Sequence, residues 1–366
     1  RYKGGAMYSK TNTTSLIGLE GELVEVESDI TSGMPAFNIV GLPDSSIKEA
    51  KDRVRVALVN SSYKFPAGRI TINLSPADLK KEGTQLDLPI AISLLCSMGV
   101  VARTYDDYIF LGELSLDGRI LPVRGALAMV ISMREKGFKK FIISEGNKEE
   151  CAIISDIEVF PFNRLNDVVG FLNGDLKKDA YQANPAFLNE KISYDLDFKD
   201  LKGQENLKRA LQISAAGGHN LLMVGPPGSG KTFSAKHLPT ILPDMSFEER
   251  VEVTKIYSIM GLLSSGHLVN ERPFRAPHHS SSQVALIGGG HSVPKPGEIT
   301  LAHRGVLFLD EFPEYQKNVI EALREPLENK EINVARAQAS VKYPSDFILI
   351  AAMNPCPCGN YGNPLK

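Results

Sequence analysis

The residues that could do chemistry gather in the second half of the chain. Gly225-Pro226-Pro227-Gly228-Ser229-Gly230-Lys231-Thr232 follows directly on the apolar run Asn220 to Val224. This is the spacing of a phosphate-binding loop set between a strand and a helix. Its glycines let backbone N–H groups wrap phosphate oxygens, and the helix start adds its dipole. Lys231 would reach the outer phosphates and the Thr232 hydroxyl would ligate Mg²⁺. Farther on, Gly305-Val306-Leu307-Phe308-Leu309-Asp310-Glu311 puts two carboxylates at the end of a buried strand. Asp310 would hold the Mg²⁺ shell, and Glu311 would orient and deprotonate an attacking water. A third apolar run, Phe347 to Ala352, delivers Asn354 to the same edge, where a neutral amide can position that water or sense the γ-phosphate. Three strand tips then carry one chemistry, ATP hydrolysis with Mg²⁺, on Lys231, Asp310, Glu311 and Asn354.

Those tips need elements to hold them. From Ser15 to about Leu172 short strands alternate with amphipathic helices. Leu23, Val24 and Val26 among Glu22, Glu25 and Glu27 predict an edge-like strand. Helices are expected over Asp44 to Ser62, Leu86 to Met98, Val123 to Lys136 and Asn163 to Leu172, and strands over Ile70 to Leu74, Tyr108 to Leu111 and Lys139 to Ile143. In the first helix, Ser46 and Glu49 suggest a capping box, and Ile47, Ala50, Val54, Ala57 and Leu58 form one apolar stripe. The polar stretch Gly174 to Lys199 lacks periodicity and reads as a linker. The organisation expected is an α/β domain over 7–173, a linker over 174–199 and an α/β nucleotide-binding core over 200–366. Arg1 to Ala6 precede Met7 and are left out of the fold.

Composition narrows the class. With 366 residues, 43% of them hydrophobic and 23% charged, the chain suits two folded domains and not a disordered segment. No apolar run reaches the ~18 residues of a membrane span, and no signal core is visible, so cytoplasm is the expected compartment. A net charge of −2 means that any nucleic acid would be bound by local basic loops. Cys96, Cys151, Cys356 and Cys358 make no disulfide framework, and Cys96 reads as a buried thiol. Five of the seven histidines fall between His267 and His303, at spacings that fit no common zinc signature. Cys356-Pro357-Cys358 is half a zinc site at best, so zinc is expected only in a more complete protein.

The motifs together resemble the AAA+ superfamily. Asp200-Leu201-Lys202-Gly203-Gln204-Glu205 looks like the AAA+ segment that lies against adenine, which adds Gly203 and Gln204 to the nucleotide contacts. Arg272 to Ser280, Leu286 to Gly290, Pro296 to Ile299 and Met353 to Gly359 closely resemble the magnesium-chelatase-like branch. Asn38 to Asp44 and Asn73 to Asp78 look like the N-terminal domain of the ComM/YifB family, and the resemblance runs from Met7 to the last residue.

That resemblance implies a hexameric AAA+ motor acting on single-stranded or branched DNA, promoting branch migration as incoming strands are integrated. It implies an N-terminal domain similar to the proteolytic domain of Lon, of the ribosomal S5 domain 2-like type. The position of the nucleophilic serine falls on Gln85, and the segment Pro122 to Met129 that should bring the activating lysine has none. A Ser/Lys dyad needs both, so a protease fold without protease activity is expected. Gly288 to His291 with Lys295 resembles the hairpin inserted in helix two of this clade, and Glu331 to Lys342 a second hairpin. His291, Lys295, Arg336 and Lys342 are the candidate DNA contacts, gripping phosphates without reading bases. The AAA+ helical lid, with its second sensor and arginine finger, lies beyond the sequence, so slow hydrolysis is expected. The nearest rival reading is a chelatase-type ATPase driving metal insertion.

Overall fold

The computed structural model describes residues 8–102, 105–183, 194–263, 268–290, 294–336 and 339–355. They form two compact units, one holding 8–183 together with 261–263, the other the remaining described residues from 194 on. His267, His291, Cys356 and Cys358 lie outside the described residues, as does the side chain of Arg336.

The first unit is built on a seven-stranded mixed sheet. In chain order its elements are β1 (Tyr8–Ile17), β2 (Glu20–Thr31), β3 (Ala36–Val40), α1 (Ser45–Asn60), β4 (Arg69–Ser75), α2 (Asp87–Ser97), β5 (Tyr108–Phe110), the short pair β6 (Glu113–Leu114) and β7 (Ile120–Leu121), α3 (Ala126–Glu135), β8 (Lys140–Ser144), α4 (Lys148–Ala152), β9 (Glu158–Phe162) and α5 (Leu165–Asn173). The sheet order is β3-β4-β2-β1-β5-β8-β9. Strand β2 is therefore interior, paired antiparallel with both β1 and β4. The expected edge-like strand is corrected: its alternation marks a two-faced sheet, with Val24 and Val26 in the core and Glu25 on the other face, paired with Lys10 at 2.8 Å.

The start of α1 also differs from the expected capping box. Asp44 is the N-cap, accepting from the Ile47 amide at 2.8 Å, and the Ser46 hydroxyl donates to the same carboxylate. The apolar stripe is as read: Ile47, Ala50, Val54, Ala57 and Leu58 are all buried against the core that includes α2 and α5. Each such side chain contributes roughly 1.5–3 kcal/mol, less for the alanines. Helix α3 begins at Ala126, three residues later than expected, because Gly125 takes φ 73 and ends the preceding turn.

Tyr181 bonds back to Val159 through its amide, so the first part of the expected linker is tied to the β9 edge. Cys96 is half-buried and Cys151 fully buried, and burial pushes the Cys96 thiol up to about 12. Gln85 is buried, its amide donating to the carbonyls of Glu82 (2.8 Å) and Thr14 (3.3 Å).

The second unit carries α6 (Glu205–Gly217), β10 (Leu221–Val224), α7 (Lys231–Lys236), α8 (Phe247–Met260), β11 (Phe274–Arg275), α9 (Gln283–Ile287), β12 (Gly288–Gly289), β13 (Lys295–Pro296), α10 (Glu298–Leu301), β14 (Val306–Leu309), α11 (Lys317–Ala322), α12 (Arg324–Asn329), β15 (Glu331–Arg336), β16 (Ala339–Pro344) and β17 (Ile348–Met353). Four strands make a parallel sheet in the order β10-β17-β14-β11. Val306, Phe308, Ile350 and Ala352 are buried, which is why these runs are continuously apolar. Two hairpins stand apart from the sheet, β12 with β13 and β15 with β16. Among the described residues no helix is long and apolar enough to cross a membrane.

Candidate functional site

Parallel strands leave their C-terminal ends on one edge, and the second unit gathers its polar groups there. The loop after β10 is anchored by the Gly225 amide, which donates to the Met353 carbonyl of β17 at 3.2 Å. Gly228 and Gly230 take φ 76 and 84, and a Cβ at Gly228 would meet open space, so glycine is needed there for conformation and not for packing. The Lys231 ammonium donates to the Gly225 carbonyl (2.7 Å), the Pro226 carbonyl (3.0 Å) and Asn354 Oδ1 (3.2 Å). Gln204 reaches the loop from the start of α6, its amide donating to the Ser229 carbonyl at 2.8 Å. The Ser229 hydroxyl is buried in the loop without a partner.

The acidic pair sits beyond β14. Thr232 donates its hydroxyl to Asp310 Oδ2 at 2.6 Å, and the Glu311 amide donates to Asp310 Oδ1 at 2.9 Å. Glu311 itself has φ 51, a left-handed conformation that costs a non-glycine residue on the order of 1–3 kcal/mol. That turn aims its carboxylate at His279, whose Nδ1 is 2.8 Å from Oε2. His279 packs against His278 at a tilt of 36° with ring centroids 4.1 Å apart, and His278 is held by the Ser280 hydroxyl at 2.8 Å. Strand β11 runs beside β14 and so brings this histidine pair to the same edge. Tyr315 closes the group, its hydroxyl donating to the Pro277 carbonyl at 2.7 Å. Burial, with the nearby charges of Asp310 and Glu311, pushes that phenol up to about 12.

The structure thus brings Lys231, Thr232, Asp310, Glu311, Asn354, Gln204 and the glycine-rich loop together. A hydroxyl beside a carboxylate, both at a phosphate-binding loop, suits Mg²⁺, which keeps most of its ligands as water and phosphate oxygens. The unpartnered Ser229 hydroxyl and the open space over Gly228 fit a phosphate in the loop. Such a group would supply charge compensation for phosphoryl transfer, and the placement of Lys231, Asn354 and Glu311 around it would suit them to position oxygens and accept a proton. Lys295 and Lys342 lie away from this edge, on the two hairpins. Lys295 is exposed on β13, and Lys342 is 3.4 Å from Glu331 on the facing strand, so its charge is already partly matched.

His279 is the functional candidate that sequence reasoning passed over. The spacing of the histidines between His267 and His303 fits no common zinc signature and points to loop residues. The signal available was the position of His279 four residues after Arg275 in a stretch that had to run beside the acidic strand. Other members of that stretch are structural: Arg275 makes a bidentate pair with Glu298 at 2.6 and 2.8 Å, and Arg272 bonds the carbonyls of Pro243 and Arg304, both at 2.6 Å. Among the described residues no group of three or more His, Cys, Asp or Glu side chains could hold a metal by itself.

Two family models match the chain. "Magnesium chelatase, subunit ChlI" covers residues 197–366 and "Subunit ChlI of Mg-chelatase" covers 26–147. The chain is 44% identical to competence protein ComM of Haemophilus influenzae over 348 residues, 94% of this chain and 68% of that protein. It is 44% identical to YifB of Escherichia coli K12 over 354 residues, 96% of this chain and 69% of that one. A weaker similarity, 24% over 161 residues, links it to Lon protease of Rhizobium meliloti, covering 41% of this chain and 20% of that protein. With its α/β architecture, parallel nucleotide-binding sheet and matched sequence, the chain belongs to the ComM/YifB family of magnesium-chelatase-like AAA+ ATPases.

Proposed function

We propose that the chain is the ATP-hydrolysing part of a DNA-remodelling motor. The observation that carries the reading is the convergence of three strand tips through two side-chain bonds, Lys231 to Asn354 at 3.2 Å and Thr232 to Asp310 at 2.6 Å. Lys231 and the loop from Gly225 to Thr232 hold the phosphates, with Gly203 and Gln204 on the nucleotide's far side. Thr232 and Asp310 hold Mg²⁺. Glu311 takes the proton of the attacking water, and Asn354 orients that water. His279 fixes the Glu311 carboxylate by the bond at 2.8 Å.

The DNA side of the reading is supported by the name of the ComM relative, a competence protein. Hairpins β12–β13 and β15–β16 carry exposed Lys295 and Lys342 and would grip the backbone of a single-stranded or branched DNA in a hexameric ring, during branch migration of incoming strands. The first unit is a Lon-like domain without proteolysis, since Gln85 stands at the serine position with its amide committed to two carbonyls. The compartment is the cytoplasm. The test is ATP hydrolysis with and without single-stranded and forked DNA, beside Glu311→Gln. Stimulation by DNA that Glu311→Gln abolishes is the expected result.

A second reading, a chelatase-type or other protein-remodelling ATPase, is favoured by the two magnesium-chelatase family models. Hydrolysis indifferent to every DNA form would favour it over the motor on DNA.

A further inference from the structure

The first unit carries a concentration of positive charge that the nucleotide site does not use. Lys48, Lys51 and Arg55 fall on one face of α1 and are exposed. At ~1.5 Å per residue they make a row about 10 Å long. Arg69, also exposed, stands at the start of β4, and Lys64 lies on the connection between α1 and β4. Among the described residues none of these five has a carboxylate within ion-pair distance. Glu49 is 3.8 Å from Arg53, Asp52 lies on α1 between Lys51 and Arg55, Asp44 caps the helix start, and Asp29 of β2 pairs in register with Thr71. In a chain of net charge −2, five cations without ion-pair partners around one edge of the sheet are a local field, not a background.

Three of these charges, Lys48, Lys51 and Arg69, line a groove. A cavity of about 470 Å³ runs along strand β3, lined by Lys48 and Lys51 on one wall and by Arg69 and Thr71 on the other. Arg69 and Thr71 alternate with buried Ile70 and Ile72, so the second wall is the sheet face opposite the core. The floor is the β3 edge, where Phe37 and Asn38 line the cavity. Phe37 packs on Phe65 with ring centroids 5.9 Å apart, and the Arg55 guanidinium lies 5.6 Å from the Phe65 ring. Cations on both walls with hydroxyl and amide groups between them are the components of a groove that tracks the backbone of a nucleic-acid strand.

We infer that this groove binds the phosphodiester backbone of single-stranded nucleic acid, without reading its sequence. The inference rests on the DNA reading above for its partner, but it places a contact on the first unit, far in sequence from both hairpins. An acidic peptide laid along the β3 edge is the other polyanion the charges would accept. The nucleic acid is favoured because the cations flank the groove from both faces of the sheet, whereas a strand added in the sheet plane would meet them with alternate side chains only.

The experiment is fluorescence anisotropy of a labelled oligothymidylate, longer than the ~4–16 nucleotides such a groove tracks, with the whole chain over a salt series. Variant Lys48→Glu/Lys51→Glu/Arg69→Glu should bind at least tenfold more weakly, and its log–log salt slope should be shallower by ~2 for three lost phosphate contacts. Lys48→Gln/Lys51→Gln/Arg69→Gln should lie between it and the parent, and all three should melt at the same temperature. Variant Lys295→Glu/Lys342→Glu should keep the groove's share of binding. A groove variant that binds like the parent overturns the inference. If the hairpin variant alone loses binding, the groove fails while the DNA reading stands. If the parent binds no oligonucleotide, both fail, and binding of a labelled glutamate-rich peptide in its place would assign the groove to a protein segment.

Discussion

The two units treat polar groups in opposite ways. In the first, hydroxyls turn inward and, Thr14 Oγ1 apart, the fully buried ones among the described residues find partners. Ser9, Ser28, Ser93 and Ser97 form a buried network with contacts of 2.6 to 3.1 Å, and Thr11 and Thr13 donate to the carbonyls of Pro89 and Phe110. Gln85 is similarly tied between Thr14 and Glu82. In the second, the polar groups lie at the rim of a sheet, partly exposed, and some keep spare capacity or strain: Ser229 has no partner, and Glu311 sits at φ 51. A polar group whose bonds are complete holds a fold together; one left incomplete, or held off its preferred conformation, is available for a reaction.

That contrast can be broken by mutation. Lys231→Ala should lower ATP turnover by about 10²–10³-fold, the cost of losing one donor to developing charge, and Glu311→Gln should do at least as much. Gln85→Ala should leave turnover alone and lower only the melting temperature. A Gln85 variant that hydrolysed peptides, or a Lys231→Ala chain with full turnover, would erase the distinction. Next in size, Ser93→Val strands its hydroxyl partners Ser9 and Ser28, so denaturant unfolding should show a loss of about 1–3 kcal/mol with hydrolysis intact.

His279→Ala tests the site from its second ring of contacts. Turnover should fall by about tenfold while nucleotide affinity holds, because the histidine touches Glu311 and not the phosphate loop. An unchanged kcat would mean that the Glu311 backbone alone sets its carboxylate. The smallest effect concerns pH. His303 is buried, with Nδ1 accepting from the Asp346 amide at 3.0 Å and Nε2 3.2 Å from Glu252, and burial holds its pKa below the usual histidine value. Its unfolded form protonates near ~6.5, so the stability it contributes is present above that pH and lost as the pH falls. His303→Gln should flatten the stability profile on the acid side of neutrality, read by thermal melts across pH.

Some of this was legible in the sequence and some was not, for physical reasons. The phosphate loop is contiguous, so its geometry is written in eight adjacent residues, Gly225 to Thr232. The Asp310–Glu311 pair and Asn354 were found because an uninterrupted apolar run signals a buried parallel strand. Strand β1 was not read, since its serines and threonines resemble a loop until their carbonyl partners on other elements are known. Strand β9 contains Pro161, tolerated because β9 is a sheet edge. The alternation of β2 looks like an edge in the sequence because one face of this interior strand is wet. The pairing of His279 with Glu311 has no period at all; it depends on β11 lying beside β14, a fact of topology.

Lys231 has a consequence for selectivity. An ammonium has three donors, and here they point to two backbone carbonyls and the Asn354 amide oxygen. Any incoming oxygen must outbid a neutral carbonyl for one of them. A hydroxyl or another amide gains almost nothing by the exchange, while a phosphate oxygen gains a full ion pair. On the proposed reading the lysine would therefore favour polyphosphates over nucleosides, because only a charged oxygen gains by displacing a neutral one.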